Sequence, residues 1–242
     1  VRLRNYQQDI RPFQSGSLWN IEHDMLDSGF YKSFQNLFLW ASSPKEQRKL
    51  YLGLRPPEAP DPSDKEEIER PDVMTDEQFR ILNKMVRSKE YFLLWGPPGT
   101  GKTSVMLKYY VSHLFKNTGE RLLLLAYTNR AVDEICHTLE EIGRDYSVPY
   151  ARIGSTFGVA PEYRNRLLQK QVQNIDSRAE LRKFLSTQRI FTATVSSFLG
   201  KRHLLKLIDF DRVVIDEASQ LLEPMMGSII HDFKRIVMIG DH

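Results

Sequence analysis

Apolar positions recur along this chain in two rhythms. In the first fifty or so residues the spacing is helical: Ser17 can cap a helix with Leu18, Ile21 and Met25 on one face, ending at Ser28-Gly29. Phe30, Phe34, Leu37, Phe38 and Ala41 form a second stripe, and Pro44 opens a third helix, KEQRKLYLGL. This predicts an aromatic-rich helical hairpin or bundle, its stripes, Trp19 and Trp40 packed as core. The opening VRLRNYQ alternates as a strand does.

From Met74 onward the rhythm changes. Thr75 starts a helix carrying Phe79, Ile81, Leu82, Met85 and Val86, and then short, continuous apolar runs take over. They are YFLLW (91–95), LLLLAY (122–127), YARI (150–153), RIFTAT (189–194), RVVIDE (212–217) and RIVMIG (235–240). Helical stretches separate them, among them AVDEICHTLEEIG, stopped by Gly143, and a short helix between the last two runs. Strands that are apolar on both faces and joined by helices predict an α/β fold, a parallel sheet covered by helices on both sides. On such sheets ligands bind beyond the carboxyl ends of the strands.

Between the two regions, Arg55 to Asp72 holds Pro56, Pro57, Pro60, Pro62 and Pro71 with seven acidic residues, the composition of an extended, solvated connector. The predicted organisation is a helical stalk-like segment at 1–54, a connector at 55–72 and an α/β domain at 73–242. The chain starts at Val1 and stops at His242 directly after an apolar run, which leads us to expect further protein on both sides.

Composition narrows the picture little. With 242 residues, 41% hydrophobic and 27% charged, the chain has the make-up of a globular protein. The net charge of +3 does not identify a polyanionic partner, but residues 151 to 190 hold eight basic residues against three acidic ones. These are Arg152, Arg164, Arg166, Lys170, Arg178, Arg182, Lys183 and Arg189, suited to a nucleic acid or to the solvated face of a helical hairpin. The single cysteine, Cys136, rules out an internal disulfide or a cysteine-rich metal site within the chain and suits a reducing, intracellular setting, the cytoplasm of a bacterium or the nucleus of a eukaryote. It sits at a buried helix position. No apolar run reaches the roughly eighteen residues of a membrane span.

The chemistry gathers at the ends of the apolar runs. After YFLLW comes Gly96-Pro97-Pro98-Gly99-Thr100-Gly101-Lys102-Thr103-Ser104, a glycine-rich turn opening a helix, whose small residues let backbone N–H groups wrap a phosphate. Lys102 is placed to reach the β- and γ-phosphates of a nucleotide, and the Thr103 hydroxyl to sit on Mg²⁺. RVVIDE ends in Asp216 and Glu217, Asp216 for the metal and Glu217 to polarise the attacking water; the competing reading is a pair of surface acids opening the next helix. Asp241 ends RIVMIG and suits sensing of the γ-phosphate. Thr128-Asn129 and Thr194 with Ser196-Ser197 end two further runs and suit phosphates of a nucleic-acid strand, or capping of the helices that follow. Gln78 has two jobs open to it, closing a Thr-x-x-Gln capping box or reading an adenine edge.

Taken together, TDEQ, GPPGTGKT, AYTNRAVDE, TATVSSF, VIDEASQ and IGDH stand in the order of the Q motif and motifs I, Ia, Ib, II and III of superfamily-one helicases. The chain resembles that family over residues 74 to 242, and DEASQ with GDH is most similar to its 5′-to-3′ branch, the replication nuclease-helicases and their RNA-surveillance relatives. VRLRNY, SLWNIE and LYLGLRPP also resemble the barrel end and helical stalk that precede the motor in the nuclease-helicase group. The resemblance implies a RecA-like P-loop NTPase domain, ATP and Mg²⁺ as cofactors, and translocation on a single strand. By it, Gln78 binds adenine; Gly99, Gly101, Lys102 and Thr103 hold phosphates and metal; Asp216 and Glu217 hydrolyse; Thr128, Asn129, Thr194 and Ser196 touch the nucleic-acid backbone. It also implies a second motor domain that is not in this chain, so that the chain alone is expected to bind nucleotide weakly and to turn it over slowly. DNA is the preferred strand. An RNA helicase of the same branch and a non-catalytic, nucleotide-gated binding module are the alternatives.

Overall fold

The computed structural model describes residues 28–60, 68–144 and 147–241. The helix expected around Leu18, Ile21 and Met25, Trp19, the alternating VRLRNYQ and the middle of the connector lie outside them.

Six strands form one sheet, every pairing parallel: β1 (Tyr91–Trp95), β2 (Leu122–Ala126), β3 (Tyr150–Ile153), β4 (Ile190–Thr194), β5 (Arg212–Asp216) and β6 (Ile236–Gly240), in the order β1-β6-β5-β2-β4-β3. The apolar runs make strands because both faces are buried: in β2, Leu122 and Leu124 enter one core and Leu123 and Leu125 the other. The first core is closed by α3 (Asp76–Val86), α4 (Lys108–Asn117) and α5 (Asn129–Ile142) through residues such as Leu82, Tyr110, Leu114 and Ile135. The second is closed by α7 (Arg178–Thr187), α8 (Val195–Gly200) and α9 (Glu223–Asp232) through Leu185, Phe198, Ile229 and Phe233; the four-residue α6 (Leu168–Gln171) lies beside β3. This is the doubly covered parallel sheet that the patterning predicts.

Two expectations are corrected. β1 is not a buried strand but an edge strand beside β6, so Leu93 and Trp95 are 60% and 63% exposed while Leu94 is buried. An edge strand has a neighbour on one side only, and helix cover thins there. In α1 (Ser28–Ala41), Phe34, Leu37 and Phe38 face outward rather than into a core. The helix packs on α9 by another face: Trp40, as expected, lies against the second core beside Gly227, and the Ser228 hydroxyl donates to Asn36 Oδ1 at 2.5 Å. Ser43 Oγ and His231 Nδ1 are hydrogen-bonded at 2.9 Å, and from α2 (Lys45–Tyr51) the Gln47 amide donates to the Ile230 and Phe233 carbonyls. The helical segment is thus fastened to the helix between β5 and β6 by hydrogen bonds, which a hydrophobicity pattern does not show.

The first described end of the connector is also tied down. Arg55 makes a two-pronged contact with Glu90 at the entry to β1, at 2.5 and 2.9 Å, and the Glu58 N–H donates to the same carboxylate at 2.7 Å.

Candidate nucleotide and nucleic-acid site

All the motif residues come to one edge of the sheet, because every strand runs the same way. β1 delivers the phosphate loop. Gly99 and Gly101 both take φ of +79°, a conformation that side chains resist and that a tightly curled phosphate loop requires. The first turns after Gly101, Lys102–Leu107, are wide, with the N–H groups of both Val105 and Met106 donating to the Gly101 carbonyl at 2.9 Å. Lys102 Nζ donates to the carbonyls of Gly96 at 2.5 Å and Pro97 at 2.9 Å, folded over the space a phosphate would fill. The Thr100 hydroxyl staples the loop to the Pro97 carbonyl at 2.8 Å; Pro97, Pro98, Thr100 and Ser104 are exposed. Gln78 performs its capping job: the Thr75 N–H donates to Gln78 Oε1 at 3.0 Å, and the Gln78 N–H to Thr75 Oγ1 at 3.2 Å. Its Nε2 donates to the Thr100 carbonyl at 3.3 Å, so the same amide stands against the phosphate loop.

β5 delivers the acids one strand away, across β6. The Thr103 hydroxyl donates to Asp216 Oδ2 at 2.7 Å, joining loop and strand end. Burial pushes the Asp216 carboxyl up from its ordinary pKa, and the hydrogen bonds from Thr103 and from the Glu217 N–H pull it part of the way back. Glu217 has φ of +54°, the one positive value outside glycine among the described residues. A left-handed glutamate at a strand end is backbone strain at a candidate site, and here it turns the carboxylate toward β2. Glu217 Oε2 accepts from the Thr128 hydroxyl at 3.3 Å. Burial raises its pKa, Thr128 opposes that, and the nearby Asp216, Glu134 and Asp241 carboxylates raise it further, the direction that suits a proton acceptor. From β6, Asp241 lies 3.8 Å from Lys102 Nζ and accepts from the Ser219 hydroxyl at 3.2 Å.

Strand order sorts the chemistry. β1, β6 and β5 carry the phosphate loop, Asp241 and the acids, whereas β2 and β4 carry Thr128, Asn129, Thr194, Ser196 and Ser197. Ala126 lies in register with Asp216 on one side and Thr194 on the other. Thr128 caps α5 by accepting from the Ala131 N–H at 3.1 Å, and Thr194 caps α8 by accepting from the Ser197 N–H at 3.1 Å. Asn129 and Ser196 are exposed at the starts of those helices. The capping role is therefore present, and it presents two helix N-termini side by side. Thr128 stands at the border: it caps α5 and reaches Glu217. That link, like the Ser219–Asp241 bond, was not read from the sequence; the two partners of the first are 89 positions apart and of the second 22, and only the folded sheet joins them.

The basic tally of residues 151 to 190 is corrected. Arg152 is 1% exposed and paired with Asp133, Arg166 is paired with Glu140, and Arg189 donates to the carbonyls of Leu114, Phe115, Thr118 and Glu120. These three hold elements together. A cavity of about 660 Å³ opens between residues 68–73 and Tyr109–Asn117 on the flank of the sheet; the phosphate loop itself is an open cradle.

A parallel sheet with a glycine-rich phosphate loop on one strand and a buried aspartate hydrogen-bonded to the loop threonine defines a P-loop nucleoside-triphosphatase domain. The family described as AAA domain matches residues 74–180 and 160–242, and the chain belongs to that family, as a superfamily-one helicase motor domain. It is similar to a "DNA replication ATP-dependent helicase/nuclease" of Saccharomyces cerevisiae, 32% identical over 168 residues, which cover 68% of this chain and 10% of that protein. Human DNA2, of the same description, is 29% identical over 167 residues, 68% of this chain and 15% of that one. Arabidopsis thaliana JHS1, also so described, is 29% identical over 236 residues, 94% of this chain and 17% of that one, so the similarity reaches well into the helical segment. The chain thus spans between a tenth and about a sixth of these relatives.

Proposed function

We propose that this chain is the ATP-binding motor domain of an ATP-dependent DNA helicase that moves 5′ to 3′ along single-stranded DNA, within a nuclease-helicase of DNA replication or repair. The observation that carries the reading is the Thr128–Glu217 contact, where a residue at the start of a nucleic-acid-facing helix touches the acid poised for hydrolysis. A motor needs such a junction; a passive nucleotide-gated module does not. DNA rather than RNA is supported by the relatives, which are named for DNA replication.

In this mechanism Lys102 leaves the Gly96 and Pro97 carbonyls for the β- and γ-phosphate oxygens, and loop N–H groups hold the rest of the chain of phosphates. Gln78 turns its amide from the loop to the adenine edge. Water attacks the γ-phosphorus and gives its proton to Glu217, and ADP departs; Asp241, beside Lys102, reads whether the γ-phosphate is present. Mg²⁺ fits the site: Thr103 and Asp216 offer two hard oxygens in contact, and the buried carboxylate gains by neutralisation. Bound there, the ion would screen the phosphate charge. A second motor domain elsewhere in a longer parent supplies the opposite wall of the nucleotide site.

The test is ATP turnover by the full-length parent with oligo-dT, oligo-rU or no strand. Stimulation by oligo-dT above oligo-rU supports the reading. Stimulation by oligo-rU alone favours an RNA helicase, and no turnover under any condition favours the passive module.

A further inference from the structure

After β3, on the nucleic-acid half of the sheet edge, the turn Thr156–Gly158 displays Phe157 with 99% of its surface exposed. Single exposed apolar residues are ordinary on protein surfaces, but this one stands on a built support. The buried Arg152 guanidinium donates to the Gly158 carbonyl at 3.4 Å and to the Asn129 carbonyl at 3.3 Å, and it is anchored to Asp133 of α5. It therefore clamps the Phe157 turn to the first residue of α5. The contact is close: a Cβ on Gly158 would come within 2.8 Å of the Asn129 side-chain nitrogen. The Gly158 N–H closes the turn on the Ser155 carbonyl at 3.2 Å.

An aromatic ring held in the open beside a helix N-terminus that faces phosphates is how proteins hold a single strand without reading its sequence: backbone on the donors, a base on the ring. We propose that Phe157 is a stacking platform for one base of the single-stranded DNA whose backbone passes Thr128 and Asn129. The inference rests on the helicase reading above. It adds a base-contacting residue outside the motifs, on a turn that none of them includes, and makes Arg152 a positioning residue for it.

The experiment compares full-length wild-type protein with Phe157→Ala and Phe157→Trp, using fluorescence anisotropy on labelled oligo-dT and on the same oligonucleotide with its bases replaced by abasic sites. Phe157→Ala should weaken oligo-dT binding by about five- to 150-fold. It should bind the abasic strand as wild type does, so that loss of the ring and loss of the bases are coupled. Phe157→Trp should restore affinity, and its fluorescence should fall on oligo-dT but not on the abasic strand. With so exposed a side chain, both variants should melt at the wild-type temperature. If wild type binds oligo-dT and Phe157→Ala binds it equally well, the stacking assignment is overturned while the helicase reading stands. If wild type binds no oligo-dT, both fall.

Discussion

Thr103 illustrates how the candidate site is poised before any nucleotide arrives. Its hydroxyl satisfies the buried Asp216 carboxylate at 2.7 Å, so the two oxygens expected to face a metal already lie together. Thr103→Val keeps the shape and removes the donor. The nucleotide-free protein should lose about 1–3 kcal/mol in a denaturant titration, because a buried acceptor is left short of a partner, and ATP turnover should fall. Lys102, Thr103, Asp216, Glu217 and Asp241 could be placed at one sheet edge from the sequence because they fall at the ends of three apolar runs. Thr128 was legible as a strand-end hydroxyl but not as the partner of Glu217, since nothing local announces a contact across the sheet. Arg152 was misread for a related reason: a charge count does not see that one arginine lies beneath a turn, with 1% exposure.

Among the elements, the strands were the easiest to read and the first helices the hardest. A run apolar on both faces has few fates besides a covered parallel strand, whereas a striped helix can bury any face that finds a partner. α1 found one through the face that carries Trp40 and Asn36. Gly227 on α9 is where the two approach, and a Cβ there would meet Trp40 Cβ at 2.8 Å and the Asn36 carbonyl at 3.2 Å. Gly227→Ala should gain up to about 1 kcal/mol in helix propensity yet lose about 1–3 kcal/mol to overpacking. The expected result is a lower melting temperature together with faster amide exchange in α1. The connector contact is set to respond to acid. The Arg55 hydrogen bonds hold the Glu90 carboxyl below its ordinary pKa, so their stabilisation is complete above the usual carboxylate range and is lost as pH falls through the lowered value. Glu90→Gln should accordingly reduce thermal stability at neutral pH, with the difference from wild type closing in acid.

The molecule as a whole keeps stability and chemistry at opposite ends of the sheet. At the strand starts, Arg212 pairs with Glu120 at 2.5 Å and donates to the Val86 carbonyl and the Tyr110 hydroxyl at 3.0 Å, while Arg235 reaches the same Glu120 at 2.7 Å. Arg212→Met leaves Glu120 to Arg235 alone and removes the donors to Val86 and Tyr110, and should cost roughly 1–3 kcal/mol of folding stability. Nucleotide affinity of the folded fraction should be unchanged, because the strand ends that hold phosphate lie at the other edge. At the opposite edge, Glu217 is expected to serve hydrolysis at a site whose nucleotide the phosphate loop binds. The most direct test is Glu217→Gln in the full-length parent, with ATP binding measured at equilibrium and turnover measured in the presence of single-stranded DNA. Glu217→Gln should keep ATP affinity within a few-fold of wild type and lower turnover about 10²–10⁴-fold. Turnover at the wild-type rate would contradict that role.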